Sequence, residues 1–180
     1  MIYLFLADGF EECEALAPLD ILRRGGTQVK TVGVGKEYIT GTHGITVKAD
    51  ILEGQVVLDD KLQGVILPGG MPGTNNLERN ETVKRAVSFA NENQKLVCAI
   101  CAAPKILGGM GLLNNKNATC FPGFEKDLIG AKLSSYYVVQ DGNVITAKGV
   151  GVAFDFGFKI LENLTDKTTV EDLRKKMQFS

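Results

Sequence analysis

The sequence carries a single histidine, His43, among its 180 residues. A metal centre or proton relay built from several histidines is therefore excluded. Basic clusters are equally scarce: 20 Lys+Arg against 21 Asp+Glu leave a net charge of −1, and no basic run exceeds Arg174-Lys175-Lys176. Nucleic acid is not expected as a partner. No apolar stretch approaches the roughly 20 residues that span a bilayer, so no membrane association is expected. Met1-Ile-Tyr-Leu-Phe-Leu6 has no basic flank, which makes it a first strand rather than a signal peptide. The expected location is cytoplasmic. Repeats and low-complexity linkers are absent too, and 44% hydrophobic content in this length suits one compact domain over 1–180.

Four cysteines are present: Cys13, Cys98, Cys101 and Cys120. In a reducing compartment they are free thiols. Cys98 and Cys101 spell C-x-x-C, but Cys98 falls inside an apolar strand pattern, and neither a second cysteine pair nor a histidine cluster accompanies it. A thioredoxin-type centre and a zinc site are disfavoured, and no metal or cofactor is expected.

The chain alternates strand and helix patterns. Strands are expected at Ile2–Ala7, Gln28–Val34, Gly64–Pro68 and Leu96–Ile100, with short ones at Tyr38–Thr40 and Ile45–Lys48 and a hairpin from Tyr136–Gln140 to Val144–Ala147 across Asp141-Gly142. Helices are expected at Phe10–Arg24, Glu81–Asn93, Cys101–Met110, Phe124–Ile129, Val152–Leu164 and Val170–Met177. That order implies an α/β fold with a largely parallel sheet covered on both faces. In such sheets ligands bind at the carboxyl ends of the strands.

Cys101 stands at the abrupt change from the Leu96–Ile100 strand to a helix with Pro104 in its first turn. Such an elbow lifts a side chain above the sheet, sets it at a positive helix end and aims the next N–H, that of Ala102, at it. Each of these favours thiolate over thiol. The same residue would also serve as a small buried apolar group, and this stretch alone leaves both readings open.

The strand-end rule brings Asp8–Glu14, the Gly69-Gly70 turn and Cys101-Ala102 to one rim. Helical phase places Phe10, Glu14, Ala17 and Ile21 on one stripe, with Glu12 opposite and Glu11 on the flank. Asp8 is expected as the N-cap with Glu11 completing a capping box, and Glu12 as a solvated charge. Glu14 is left as a carboxyl inside an apolar stripe. It either acts as proton donor and acceptor beside the thiol or satisfies backbone as a structural group. Gly69-Gly70 is either a plain turn or a backbone able to approach closely enough to offer N–H groups to an oxyanion. In the second case the N–H groups of Gly70 and Ala102 share a point near the sulfur.

The segments Ala7-Asp-Gly-Phe-Glu-Glu-Cys-Glu-Ala15, Leu67-Pro-Gly-Gly70 and Ala99-Ile-Cys-Ala-Ala-Pro104, in that order, resemble the DJ-one/ThiJ/PfpI family, in its DJ-one-like branch. Thr119-Cys-Phe-Pro-Gly123 and Lys148-Gly-Val-Gly151 extend the likeness over nearly the whole chain. The resemblance implies a flavodoxin-like three-layer sandwich, usually a homodimer, with an oxidation-prone cysteine at Cys101 and a protonated glutamate at Glu14. It further implies cofactor-free glyoxalase or deglycase chemistry on small α-oxoaldehydes such as methylglyoxal or their glycated adducts. The alternative it carries is a redox sensor or redox-regulated chaperone in which Cys101 oxidises to sulfinic acid without turnover.

Two departures bear on this. Phe121, before Pro122, occupies a position where many relatives have histidine, so a second proton carrier is missing from a pocket expected to include Gly69, Phe121 and Pro122. Ala102 follows the cysteine where the protease-like branch has histidine, which argues against peptidase or amidotransferase chemistry. His43 is expected at the surface.

Overall fold

The computed structural model describes residues 1–179. The first strand, β1 (Ile2–Leu6), is buried at all five positions because both of its faces are covered. Its alternation divides the interior: Ile2, Leu4 and Leu6 face one apolar layer, Tyr3 and Phe5 the other. After β1 come α1 (Glu12–Arg24), β2 (Val29–Gly33), the hairpin of β3 (Tyr38–Thr40) and β4 (Thr46–Lys48), and the short β5 (Ile51–Leu52). Next are β6 (Gly64–Leu67), α2 (Gly73–Arg79), α3 (Glu81–Glu92), β7 (Leu96–Ile100) and α4 (Pro104–Gly109). The chain continues through β8 (Asn117–Ala118), β9 (Lys132–Leu133), β10 (Val138–Asp141), β11 (Val144–Ala147), α5 (Ala153–Leu164) and α6 (Lys167–Lys176).

Seven strands form the central sheet in the order β10-β11-β7-β6-β1-β2-β5. All neighbours run parallel except β10, which pairs antiparallel with β11. One face is covered by residues of α1, α5 and α6, the other by residues of α2, α3 and α4. This is the flavodoxin-like arrangement expected from the sequence. Parallel pairing delivers the carboxyl ends of β1, β6, β7 and β11 to a single edge.

Several boundaries differ from the sequence expectation. The first helix begins at Glu12, and its cap is Glu11, whose carboxylate accepts from the Glu14 N–H at 2.7 Å. Asp8 is not the cap: it accepts from the Thr40 N–H at 2.9 Å and pairs with Lys36 at 2.6 Å, tying the end of β1 to the hairpin. The expected helix at 124–129 is only a 3-10 turn over Glu125–Asp127, since Leu128 alone in that segment is fully buried and one side chain cannot anchor a helix. The elbow helix starts at Pro104, three residues beyond Cys101, and is six residues long. α2 went unread because Gly73-Thr-Asn-Asn has weak helix propensity; tertiary bonds hold it, among them Asn76 Nδ2 to the Asp8 carbonyl at 2.9 Å.

α1 and α5 cross closely at Gly157, where a Cβ would lie 2.8 Å from both Pro18 Cα and Ile21 Cδ1. Gly157→Val is expected to cost about 1–3 kcal/mol through forced separation of the helices. Thermal unfolding should show this as a Tm loss of roughly 3–10 °C. Gly109→Ala, exposed in α4 with open space around its Cβ position, should leave Tm unchanged or slightly raised.

Candidate active site

Cys101 adopts φ +65°, a left-handed conformation rarely populated by residues with a side chain. Tertiary hydrogen bonds hold it there: its N–H donates to the Ala147 carbonyl at 2.9 Å, and its own carbonyl accepts from the Phe121 N–H at 2.9 Å. The thiol is partly exposed at the sheet edge. The N–H groups of Gly70 and Ala102 face its sulfur and favour the thiolate, and the Glu14 carboxyl lies beside it.

Glu14 is 1% exposed. Its Oε2 accepts from the Gly69 N–H at 3.0 Å, and the Val150 N–H lies near enough to favour the ionised carboxyl. The two glycines divide their donors: Gly69 serves the carboxyl and Gly70 the sulfur. Gly69 is required by space, since a Cβ there would lie 2.6 Å from both Cys101 Cβ and Glu14 Oε2 and 3.1 Å from the sulfur. Gly70 is required by conformation, with φ +87°.

Burial raises the proton affinity of both groups. It pushes the Glu14 carboxyl up to about 7, with the Glu11 charge adding to the rise. Burial, then the charge and hydrogen bond of an ionised Glu14, push the Cys101 thiol up to about 12. The positive helix end expected to lower it is absent, because α4 is short and starts three residues away. What favours the thiolate is local: two N–H donors, and a Glu14 carboxyl that becomes an O–H donor to sulfur when it holds the proton. The pair titrates as a unit, and between its two steps one proton is shared by sulfur and carboxyl.

The structure thus brings Cys101, Glu14, Gly69, Gly70 and Ala102 together. Phe121 joins through its backbone, and its ring edge lies 3.2 Å from where a Gly149 Cβ would be. Pro122 is exposed and lines a small cavity of about 100 Å³ with Cys120, Glu125 and Lys148; Cys101 is not among its lining residues. Gly149 and Val150 were missed as site residues. The strand-end rule would have found them, since they follow β11 at the same edge.

Glu12 corrects the sequence reading. It is 3% exposed, not solvated, because the β3–β4 hairpin folds over its side of α1. Its carboxylate accepts from the His43 N–H at 2.7 Å and from the Ile45 N–H at 3.4 Å, and it meets His43 Nδ1 at 2.7 Å. Burial alone would raise this carboxyl, but those donors outweigh it and hold it below its ordinary value. His43 is exposed, as expected, and is pushed up by the same hydrogen bond. Glu11, Glu12 and His43 put one ligand atom each within 4.8 Å of one another. Backbone and side-chain donors already account for Glu12 there, without a cation.

The DJ-1/PfpI family model matches residues 1–163. The chain belongs to this family. Among curated relatives, Drosophila melanogaster protein dj-1beta is 34% identical over 175 residues, covering 96% of this chain and 93% of the relative. A Pyrococcus abyssi protein named a deglycase is 32% identical over 155 residues, covering 83% and 90%. Among solved structures, a cysteine-to-alanine mutant of a DJ-1 superfamily protein from Salmonella typhimurium superposes with TM-score 0.93 at 32% identity, over 99% of this chain and 98% of that one. Oxidised DJ-1 of Toxoplasma gondii superposes with TM-score 0.94 at 26% identity, over the same shares. In this member no helix among the described residues is long and apolar enough to cross a membrane.

The raised Glu14 carboxyl makes a prediction about stability. The folded state holds its proton up to about pH 7, whereas the unfolded chain releases it near 4.5, so stability falls as pH rises through that interval. The loss amounts to roughly 3 kcal/mol above pH 7. Glu14→Gln removes it: its Tm should exceed that of the wild type at pH 8 and match it at pH 4. An equal difference at both pH values would show that the carboxyl is not raised.

Proposed function

We propose that this protein is a cofactor-independent glyoxalase or deglycase-type enzyme acting on small α-oxoaldehydes such as methylglyoxal, or on their adducts with amines, in protection against carbonyl and oxidative stress. The observation that carries the reading is the contact of Cys101 sulfur and Glu14 carboxyl against the bare backbone of Gly69, with N–H donors from Gly70 and Ala102 on the sulfur. Such a pair sets a nucleophile beside a proton carrier, the arrangement that covalent catalysis needs. The relative named a deglycase supports the reaction class.

The sulfur adds to the aldehyde carbon, and charge passes from sulfur to the former carbonyl oxygen. The Gly70 and Ala102 N–H groups lie beside the point where that oxyanion forms. Glu14, at an affinity near neutrality, removes the proton from the former aldehyde carbon and returns one to the neighbouring ketone carbon. Water then cleaves the resulting thioester and releases a 2-hydroxy acid and the thiol. Water is the only co-reactant, and no external oxidant or reductant enters the balance. His43 stays on Glu12, and no other histidine exists to form a Cys-His pair, so peptidase and amidotransferase chemistry are not proposed.

Cys101→Ser should abolish methylglyoxal consumption measured by lactate formation. Glu14→Gln should lower it by roughly 10²–10⁴-fold. Wild-type kcat/KM should rise through about pH 7 as the pair loses its first proton. Turnover by Cys101→Ser at the wild-type rate would refute the mechanism.

A second reading has its own support: Cys101 as a redox sensor or redox-regulated chaperone switch. The Gly70 and Ala102 donors that serve an oxyanion would equally hold a sulfinate oxygen, and the similar Toxoplasma gondii structure is of the oxidised protein. Cys13 is a direct control, because it is more exposed than Cys101 yet lacks the two backbone N–H groups that favour the charged sulfur there. Dilute peroxide followed by peptide mapping should find Cys101 oxidised ahead of Cys13. Even oxidation of the two, or Cys13 first, would remove the sensor reading.

A further inference from the structure

Lys105 bridges the two segments whose N–H groups face the Cys101 sulfur. Its backbone belongs to the cysteine side: it follows Pro104 in the first turn of α4, and its N–H donates to the Ala102 carbonyl at 3.2 Å. Its side chain belongs to the glycine side, because Nζ donates to Asn75 Oδ1 at 3.0 Å and pairs with Glu78 at 2.9 Å, both residues of α2. Only 17% of that side chain is exposed, so the ammonium has lost most of its water and depends on these partners.

α2 in turn fixes the Gly69-Gly70 turn. The Glu11 N–H donates to the Gly69 carbonyl at 2.9 Å, and the Thr74 N–H donates to the Gly70 carbonyl at 2.9 Å. In a trans peptide the N–H points away from the carbonyl, so the bond to Glu11 turns the Gly70 N–H to the opposite side. The peptide before Gly70 is thus held by the start of α1 and the peptide after it by α2, while Gly70 itself, at φ +87°, has no side chain to fix it. A shift of α2 therefore moves one sulfur-facing donor relative to the other. The helix cannot hold its own place, being seven residues of weak propensity. Two ties run to the end of β1, from the Gly73 N–H to the Gly9 carbonyl at 3.1 Å and from Asn76 Nδ2 to the Asp8 carbonyl at 2.9 Å. Among the described residues, Lys105 alone joins α2 to α4 by hydrogen bonds.

We propose that Lys105 is a positioning residue for the charged sulfur: by clamping α2 to the first turn of α4 it keeps the Gly70 N–H in register with the Ala102 N–H. Its own hydrogen bonds reach neither the sulfur nor the Glu14 carboxyl, and it carries no proton in the reaction. The clamp rests on the glyoxalase reading only where turnover is measured; its effect on the thiol stands apart from any substrate.

The test reads the rate of Cys101 alkylation by iodoacetamide at pH 7 in the full chain, resolved from the other cysteines by peptide mapping. Lys105→Met keeps the stem and removes the donor, and should slow alkylation about tenfold, near the lower end of what a hydrogen bond to a charged group contributes. Glu78→Ala removes an acceptor while favouring the α2 helix, and should slow it in the same direction by a smaller factor because Asn75 remains. Lys105→Arg, which still carries donors toward both acceptors, should restore most of the rate. A direct effect of the Lys105 charge on the sulfur predicts opposite signs, since Glu78→Ala would leave that charge unneutralised and speed the reaction. General loosening predicts faster alkylation, with buried Cys98 becoming reactive as well. Either result, or unchanged rates in both variants, overturns the proposal. In methylglyoxal turnover, Lys105→Met should lower kcat and leave KM near the wild-type value, because a misplaced donor is felt at the oxyanion. Slowed alkylation in variants of a protein that turns over no methylglyoxal would keep the clamp and remove the glyoxalase reading. Wild-type turnover, with alkylation unchanged in both variants, would do the reverse.

Discussion

One shared proton organises the carboxyl edge of this protein's sheet. Cys101 and Glu14 are both shielded from water, so two negative charges side by side are costly and one charge with one proton is the stable filling. The surroundings are arranged around that single charge. Gly69 donates to the carboxyl with the Val150 N–H nearby, the Gly70 and Ala102 N–H groups face the sulfur, and the absent Cβ of Gly69 leaves room for the two groups. The left-handed Cys101 backbone persists because β11 and the Phe121 segment grip it from both sides.

The architecture was readable because its signals are local. Apolar strand runs, helix periodicity and alternating order led to a parallel sheet with two covered faces, and the strand-end rule then selected the edge where residues from β1, β6 and β7 meet. Glu14 was singled out by helical phase alone, as a carboxyl in an apolar stripe, and it is buried in the structure. Its pairing with Cys101 was one of the two readings that the residues left open, and the family likeness favoured it.

What was misread depended on tertiary neighbours. Helical phase placed Glu12 on the outer side of α1, but nothing in the α1 sequence announces that a hairpin 30 residues onward covers that side. Asp8 looked like a cap because capping residues are recognised by type, whereas Glu11 took the position and Asp8 was drawn to Thr40 and Lys36. The expected source of thiolate stabilisation was likewise a generic feature of elbows, a helix end. Here the distance to Pro104 leaves that work to two backbone donors and a neighbouring acid.

Glu14 is surrounded by residues far along the chain: Gly69, 55 positions away, donates to it, and the Val150 N–H from the closing third of the sequence lies nearby. Cys101 in turn is held by Ala147 and Phe121. No short fragment contains this set, and loosening either face of the sheet removes at least one member. The chemical behaviour of one thiol is therefore a gauge of whether the entire chain has reached its native arrangement.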